Sequence, residues 1–138
     1  EAVVLSSVHP NTFIQFVVQV LNDDGSLLSA ALNGCMAALL DAGLICTTTL
    51  GATCCCFSQD GQLLLDPDLA EETNAVATVC FAHDNKSKEV IASLCTGLFA
   101  DDKTFWKSEQ LARKASAQVF SIMKQAYGIL KGVGVPTQ

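Results

Sequence analysis

Two hairpin patterns in the middle of the chain constrain its fold more than any other feature. The first joins Leu50–Phe57 to Gln62–Leu65 across a short polar turn that ends in Asp60-Gly61, a pair typical of tight hairpins. The second joins Ala75–His83 to Glu89–Thr96 across another polar turn. Four such strands predict a sheet that needs helices to cover its apolar side.

The predicted helices and a further strand flank these hairpins. Thr12–Leu21 alternates in hydrophobicity, which predicts a strand with one fully buried face. Leu27–Ala42 carries apolar residues at helical spacing and a ridge of small residues, and a long helix is predicted from about Thr104 to Leu130. The order strand, helix, four strands, helix indicates an α+β fold, in which we predict a mixed sheet with both helices on one face.

Composition limits the class of protein. A chain of 138 residues with 50% hydrophobic and 16% charged residues predicts one domain and excludes a disordered chain. Polar residues interrupt every long uncharged stretch, so no membrane span is predicted. Seven cysteines, three of them consecutive and none in a CxxC pair, favour buried thiols in a reducing compartment over a disulfide framework or a zinc site.

Charge is distributed unevenly along the chain. Residues 1–85 contain no Lys or Arg against ten acids, and all eight basic residues lie between Lys86 and Lys131. Proteins that bind nucleic-acid phosphates with their own side chains usually have a cluster of basic residues on one surface, and the first part of this chain has none. Either nucleic acid is not its direct ligand, or basic contacts come from elsewhere.

A set of motifs, taken in order, resembles the RNase PH-like family. They are His9-Pro10-Asn11-Thr12, the segment Leu21–Asn33, Cys35–Leu39, Asp41-Ala42-Gly43, Gly61–Asp68 and Glu71-Glu72. The version Gly25-Ser26-Leu27-Leu28 most resembles a ring subunit of the RNA exosome. The resemblance implies a ribosomal protein S5 domain 2-like fold. It covers essentially the whole chain but about half of the family's domain, so residues 1–138, which begin on Glu1, are expected to be the C-terminal portion of a single domain whose N-terminal portion is missing.

The resemblance also implies a function. We expect a subunit of the exosome core ring that binds RNA and takes part in 3′→5′ RNA processing and degradation, rRNA processing included. Its expected partners are other RNase PH-like ring subunits or a second copy of itself, together with RNA or DNA and no membrane. Its expected location is the nucleus, nucleolus and cytoplasm. The alternative is an active phosphate- or metal-dependent exoribonuclease that works as a homodimer.

The phosphate site of the family is altered at the head of the first helix. Active members carry a Thr-Arg pair after the Asp-Gly turn, and the arginine holds the attacking phosphate. This chain has Leu27-Leu28 there, and Ser26 at the helix N-terminus remains as a weak phosphate-binding candidate. We therefore expect weak or no phosphorolysis, with inorganic phosphate a co-substrate only if the chain is active.

The acidic loop offers candidate catalytic and metal-binding residues. By the resemblance, Asp66 and Glu72 are catalytic candidates, and Asp66, Asp68 and Glu72 are candidate ligands of Mg²⁺ or Mn²⁺, which prefer oxygen donors. The competing interpretation is that Asp68 caps a short turn in a capping box with Glu71, and that the remaining acids are solvated. The sequence leaves both interpretations open.

Three weaker signals complete the candidates. His9 and His83 have no identifiable Ser or Cys partner in the sequence. A Cys–His hydrolase built on Cys54–Cys56 is disfavoured, because strand cysteines in an apolar run usually belong to a core. The pair Phe105-Trp106, between Lys103 and Lys107, fits either base stacking or a packing anchor.

Overall fold

The computed structural model describes residues 3–8, 11–99 and 101–130, with an α+β fold as the hairpin and helix patterns predict. Both hairpins and both long helices are confirmed. In chain order the elements are α1 (Leu27–Asp41), β1 (Leu50–Phe57), β2 (Leu63–Leu65), α2 (Leu69–Thr73), β3 (Ala77–Asp84), β4 (Val90–Gly97) and α3 (Asp102–Leu130), after a 3-10 turn at Ser6–Val8. In the described ranges no helix is both long and apolar enough for a membrane crossing.

The four strands form one sheet in the order β2-β1-β3-β4, and every neighbouring pair is antiparallel. The prediction of a mixed sheet is therefore wrong for the described strands. Short connections explain the difference, because β1 and β2 are joined by a tight turn, as are β3 and β4, and such turns reverse the chain direction. In the central pair, Leu50 lies opposite Asp84 and Phe57 lies opposite Ala77.

The two long helices pack on opposite faces of the sheet. Side chains at odd positions of β1 face α3: the Thr53 hydroxyl donates to the Ala112 carbonyl. Even positions face α1, where the Cys54 thiol hydrogen-bonds with Ser29. The prediction that both helices share one face is wrong. Both faces of β1 are buried, so its sequence does not alternate between apolar and polar residues. The sequence therefore does not indicate on which face each helix packs.

The core lies mainly between the sheet and α3. Phe81 is 1% exposed and makes an edge-to-face contact with Phe105, whose ring also contacts Phe99. His83 is buried beside them, with Nδ1 3.0 Å from the Ser116 hydroxyl and Nε2 3.4 Å from a carboxylate oxygen of Glu109. Burial is the main cause that lowers the pKa of His83 below its ordinary value, and the imidazole is neutral near pH 7.

The strand predicted at Thr12–Leu21 does not form, because the segment pairs with no strand among the described residues. Most of its apolar side chains are exposed, Phe13 at 86% and Val17 at 84%. The segment lines a cleft of 660 Å³ beside the small-residue ridge of α1, where Gly34 faces open space. The alternating hydrophobicity of this segment predicted that one of its faces is buried. In the described part of the chain, no strand or helix covers that face.

Candidate functional site

The turn before α1 packs directly onto the acidic loop. Gly25 has φ +93°, and a β-carbon there would lie 2.4 Å from the backbone carbon of Asp68. The Ser26 hydroxyl donates to the Pro67 carbonyl at 3.0 Å, so this side chain does not cap the helix. Glycine is required at the turn because it tolerates both the left-handed backbone and the close approach.

A carboxylate of the chain itself lies at the N-terminus of α1. Oε2 of Glu72 accepts a hydrogen bond from the backbone N–H of Ser26 at 3.0 Å, in a half-buried position. Helix N-termini attract anions through their unpaired N–H groups and the helix dipole. Glu72 satisfies the N–H of Ser26 and places a negative charge at this end of the helix. Leu27 and Leu28 are more than one-third exposed and line the adjoining cleft of 580 Å³. A phosphate at this helix end would be repelled by the Glu72 carboxylate and would meet no cation at these two leucines.

The three carboxylates proposed as metal ligands line three different clefts. Asp66 lines one of 470 Å³ together with Ser26, whereas Asp68 lines one of 420 Å³ and Glu72 the one of 580 Å³. In the ranges that the structure describes, no three His, Cys, Asp or Glu side chains gather as a metal site. The three carboxylates together do not form a metal site in that part of the chain. Binding of Mg²⁺ or Mn²⁺ by one or two of them with water stays a prediction, as do the catalytic roles of Asp66 and Glu72.

Asp68 has a structural role instead. Its carboxylate accepts from the Glu71 N–H at 2.8 Å, and the Glu71 carboxylate accepts from the Asp68 N–H at 3.1 Å. This is the reciprocal capping box at the start of α2 that the sequence allowed. The box fixes the direction of α2 and so presents Glu72, in its first turn, to Ser26.

Comparisons with known proteins agree with this architecture. The family model "3' exoribonuclease family, domain 1", RNase PH, matches residues 1–44. The "Exosome complex exonuclease RRP46 homolog" of Arabidopsis thaliana is 37% identical over 91 residues, covering 66% of this chain and 38% of its own length. The crystal structure of rice (Oryza sativa) Rrp46 superposes with a TM-score of 0.73 at 29% identity, covering 79% of this chain and 51% of the other. The chain is therefore similar to these proteins in sequence and in fold.

The chain matches only part of the length of these relatives. The "Exosome complex component Rrp41" of Archaeoglobus fulgidus is 28% identical over 134 residues, which cover 91% of this chain and 49% of the relative. The chain thus spans about half the length, or less, of the curated relatives it matches. That residues 1–138 are the C-terminal portion of one domain stays a prediction. His9-Pro10 lies outside the described residues.

The other candidates from the sequence lie either in the core or on the surface. His83 contacts Ser116 and Glu109, and a Cys–His pair built on His83 is not formed. Phe105 belongs to the core cluster, whereas Trp106 is 59% exposed and contacts Phe105 edge-on. Cys95 is exposed, contrary to the expectation of buried thiols, because β4 is an edge strand.

One structural residue escaped sequence reasoning. The Asn33 side chain accepts from the Ala52 N–H at 2.8 Å and donates to the Ala52 carbonyl at 2.9 Å. β2 is too short to reach this part of β1, so Asn33 satisfies both backbone groups in its place. A polar residue inside an otherwise apolar helix face was the available signal.

Proposed function

We propose that this chain is part of a ring subunit of an RNA exosome-type assembly and acts in RNA processing and degradation with little or no phosphorolysis of its own. The similarity to proteins named as exosome components supports the assembly. The contact between Glu72 and the Ser26 N–H carries the proposal of weak phosphorolysis. Other RNase PH-like subunits are its proposed neighbours, and the nucleus, nucleolus and cytoplasm its proposed location.

The electrostatic argument concerns two anions. Phosphorolysis brings inorganic phosphate against an RNA phosphodiester, and at ~4 Å each pair of unit charges repels by about 4 kcal/mol at a partly buried site. Active sites offset this repulsion with cations and aimed N–H groups. Here Glu72 takes the N–H of Ser26 and adds a negative charge, and no Lys or Arg precedes Lys86 in the sequence. Phosphate is therefore disfavoured at the place where active relatives would hold it.

Contact with RNA is proposed for α3 instead. Trp106 presents an exposed ring, and Lys103 and Lys107 lie one turn before it and directly after it on the helix. Aromatic faces stack on bases whatever the sequence, and neighbouring lysines attract the backbone. Lys86 and Lys88 are more constrained, since Lys86 donates to the Thr47 carbonyl and Lys88 donates to Asn85.

The test is an RNA degradation assay with and without inorganic phosphate. We expect no phosphate-dependent release of nucleoside diphosphates at the rate of an active RNase PH, while Trp106→Ala weakens RNA binding and Ile122→Ala, an exposed residue on the same helix, does not. Release at the rate of an active enzyme would overturn the proposal. Phosphate-independent cleavage that needs Mg²⁺ and is lost in Asp66→Ala would point to a hydrolytic nuclease. Sedimentation of the protein alone shows whether it forms the homodimer of the alternative interpretation. Sedimentation with RNA and with DNA shows which nucleic acid it binds.

A further inference from the structure

Two cysteines face each other across the central strand pair. Cys54 of β1 lies directly opposite Cys80 of β3. The Cys54 carbonyl accepts from the Asp66 N–H at 2.9 Å and so points away from β3, toward β2. The Asn85 N–H donates to the Thr49 carbonyl at 3.0 Å, which shows that odd positions of this part of the chain carry the bonds between β1 and β3.

It follows that Cys54 and Cys80 occupy a non-hydrogen-bonded position of the antiparallel pair. At such positions the Cα atoms are about 4.5 Å apart and the side chains project to the same face at their closest approach. Disulfides span Cα separations of about 4.4–6.8 Å, so the backbone can accommodate a bond between these two sulfurs without a change of register.

The surroundings allow a small oxidant to reach the pair. Cys54 and Cys80 are 8% and 7% exposed, and both line the cleft of 580 Å³ next to α1. The two thiols already hydrogen-bond to each other, and this bond lowers the pKa of Cys54 to about 7 while it raises that of Cys80. Cys55 projects to the opposite face, where its thiol contacts the Ser108 carbonyl, and Cys56 lies opposite Thr78.

We propose that Cys54 and Cys80 are a redox-active pair that closes to a reversible cross-strand disulfide when a hydroperoxide enters this cleft. The Cys54 thiolate attacks the O–O bond, takes one oxygen as a sulfenic acid, and releases hydroxide or alkoxide, which a proton converts to water or alcohol. The Cys80 sulfur then attacks the sulfenic sulfur, and the hydroxyl leaves as water with the Cys80 proton. Two thiols are oxidised by two electrons, and a small thiol reductant reverses the reaction.

The test is mapping of the oxidised protein. The folded protein is treated with hydrogen peroxide, its remaining thiols are alkylated, and a protease specific for acidic residues cuts at Asp66 and Glu72, which separates Cys54 from Cys80. We expect one cross-linked peptide pair, lighter by two hydrogens than the reduced peptides, that disappears with dithiothreitol. Fragmentation between the consecutive cysteines assigns the linked sulfur to Cys54.

Matched variants make the result specific. Cys54→Ala and Cys80→Ala are each expected to abolish the intramolecular cross-link, while Cys55→Ala, next in sequence but on the other face, leaves it intact. Circular dichroism before and after oxidation establishes that each protein is folded. A cross-link from Cys80 to Cys55 or Cys56, or full recovery of both thiols in a folded, peroxide-treated protein whose exposed Cys95 has reacted, would overturn the proposal.

Discussion

Replacement of Glu72 tests the contact between this carboxylate and the N-terminus of α1 most directly. Glu72→Gln keeps an oxygen acceptor for the Ser26 N–H and removes the charge, whereas Glu72→Ala removes both. Interaction with a helix N-terminus contributes about 0.3–1 kcal/mol, and a hydrogen bond to a charged group about 1.5–3 kcal/mol before solvent screening at this half-exposed site. We expect the free energy of unfolding to fall by about 0.5–1 kcal/mol in Glu72→Gln and by about 1–2 kcal/mol in Glu72→Ala.

The assay is urea unfolding followed by circular dichroism, with and without phosphate. Glu89→Gln, an exposed carboxylate on the β3–β4 hairpin, is the matched control and is expected to change the midpoint little. Because Glu72→Ala frees the Ser26 N–H, phosphate should stabilise that variant more than the wild type. Equal midpoints for wild type and Glu72→Ala, together with equal responses to phosphate, would refute the reasoning.

Three further predictions concern stability. Gly25→Ala forces a left-handed residue against the Asp68 backbone and is expected to cost about 2–4 kcal/mol in urea unfolding, whereas Gly34→Ala faces open space and should stabilise α1 by up to about 1 kcal/mol. Asn33→Ala leaves two buried backbone groups of β1 unpaired and should cost about 2–4 kcal/mol, which a normal midpoint would contradict. The pKa of His83 is lower in the folded protein than the ordinary 6.5, so the unfolded chain takes up the proton first. Stability should therefore be complete above about pH 6.5 and fall as the pH drops through the folded-state pKa, and His83→Gln should weaken this dependence.

Local patterns account for the parts of the fold that the sequence predicts well. β1 and β2 lie close in the chain, and their turn residues and β-forming side chains indicate the pairing without distant information. Thr12–Leu21 shows the limit of this reasoning, since alternation indicates that a face requires burial but does not identify what covers it. The arrangement of α1 and α3 on opposite faces depends on contacts such as that of Thr53 with Ala112, which are distant in sequence.

In the candidate site, too, local contacts could be predicted from the sequence and distant contacts could not. The capping box of Asp68 with Glu71 was one of the two interpretations that the sequence offered, because both residues lie within one helical turn, and the structure confirms it. The bond from Ser26 to Glu72 spans 46 residues, and no spacing rule relates the two. The resemblance to a family marked Glu72 as a candidate, but the side chain serves as an intramolecular anion at the N-terminus of α1, which only the folded geometry reveals.

The amide of Asn33 has a consequence for assembly. An unpaired strand edge is a template on which another polypeptide can add itself, through backbone bonds alone. Asn33 imitates one residue of such a strand and occupies the N–H and C=O of Ala52 beyond the end of β2, so a foreign strand finds no free backbone there. β4, at the other side of the sheet, has no such side-chain mimic in the described chain, so the backbone groups on its outer edge are open to an added strand along the whole of Val90–Gly97.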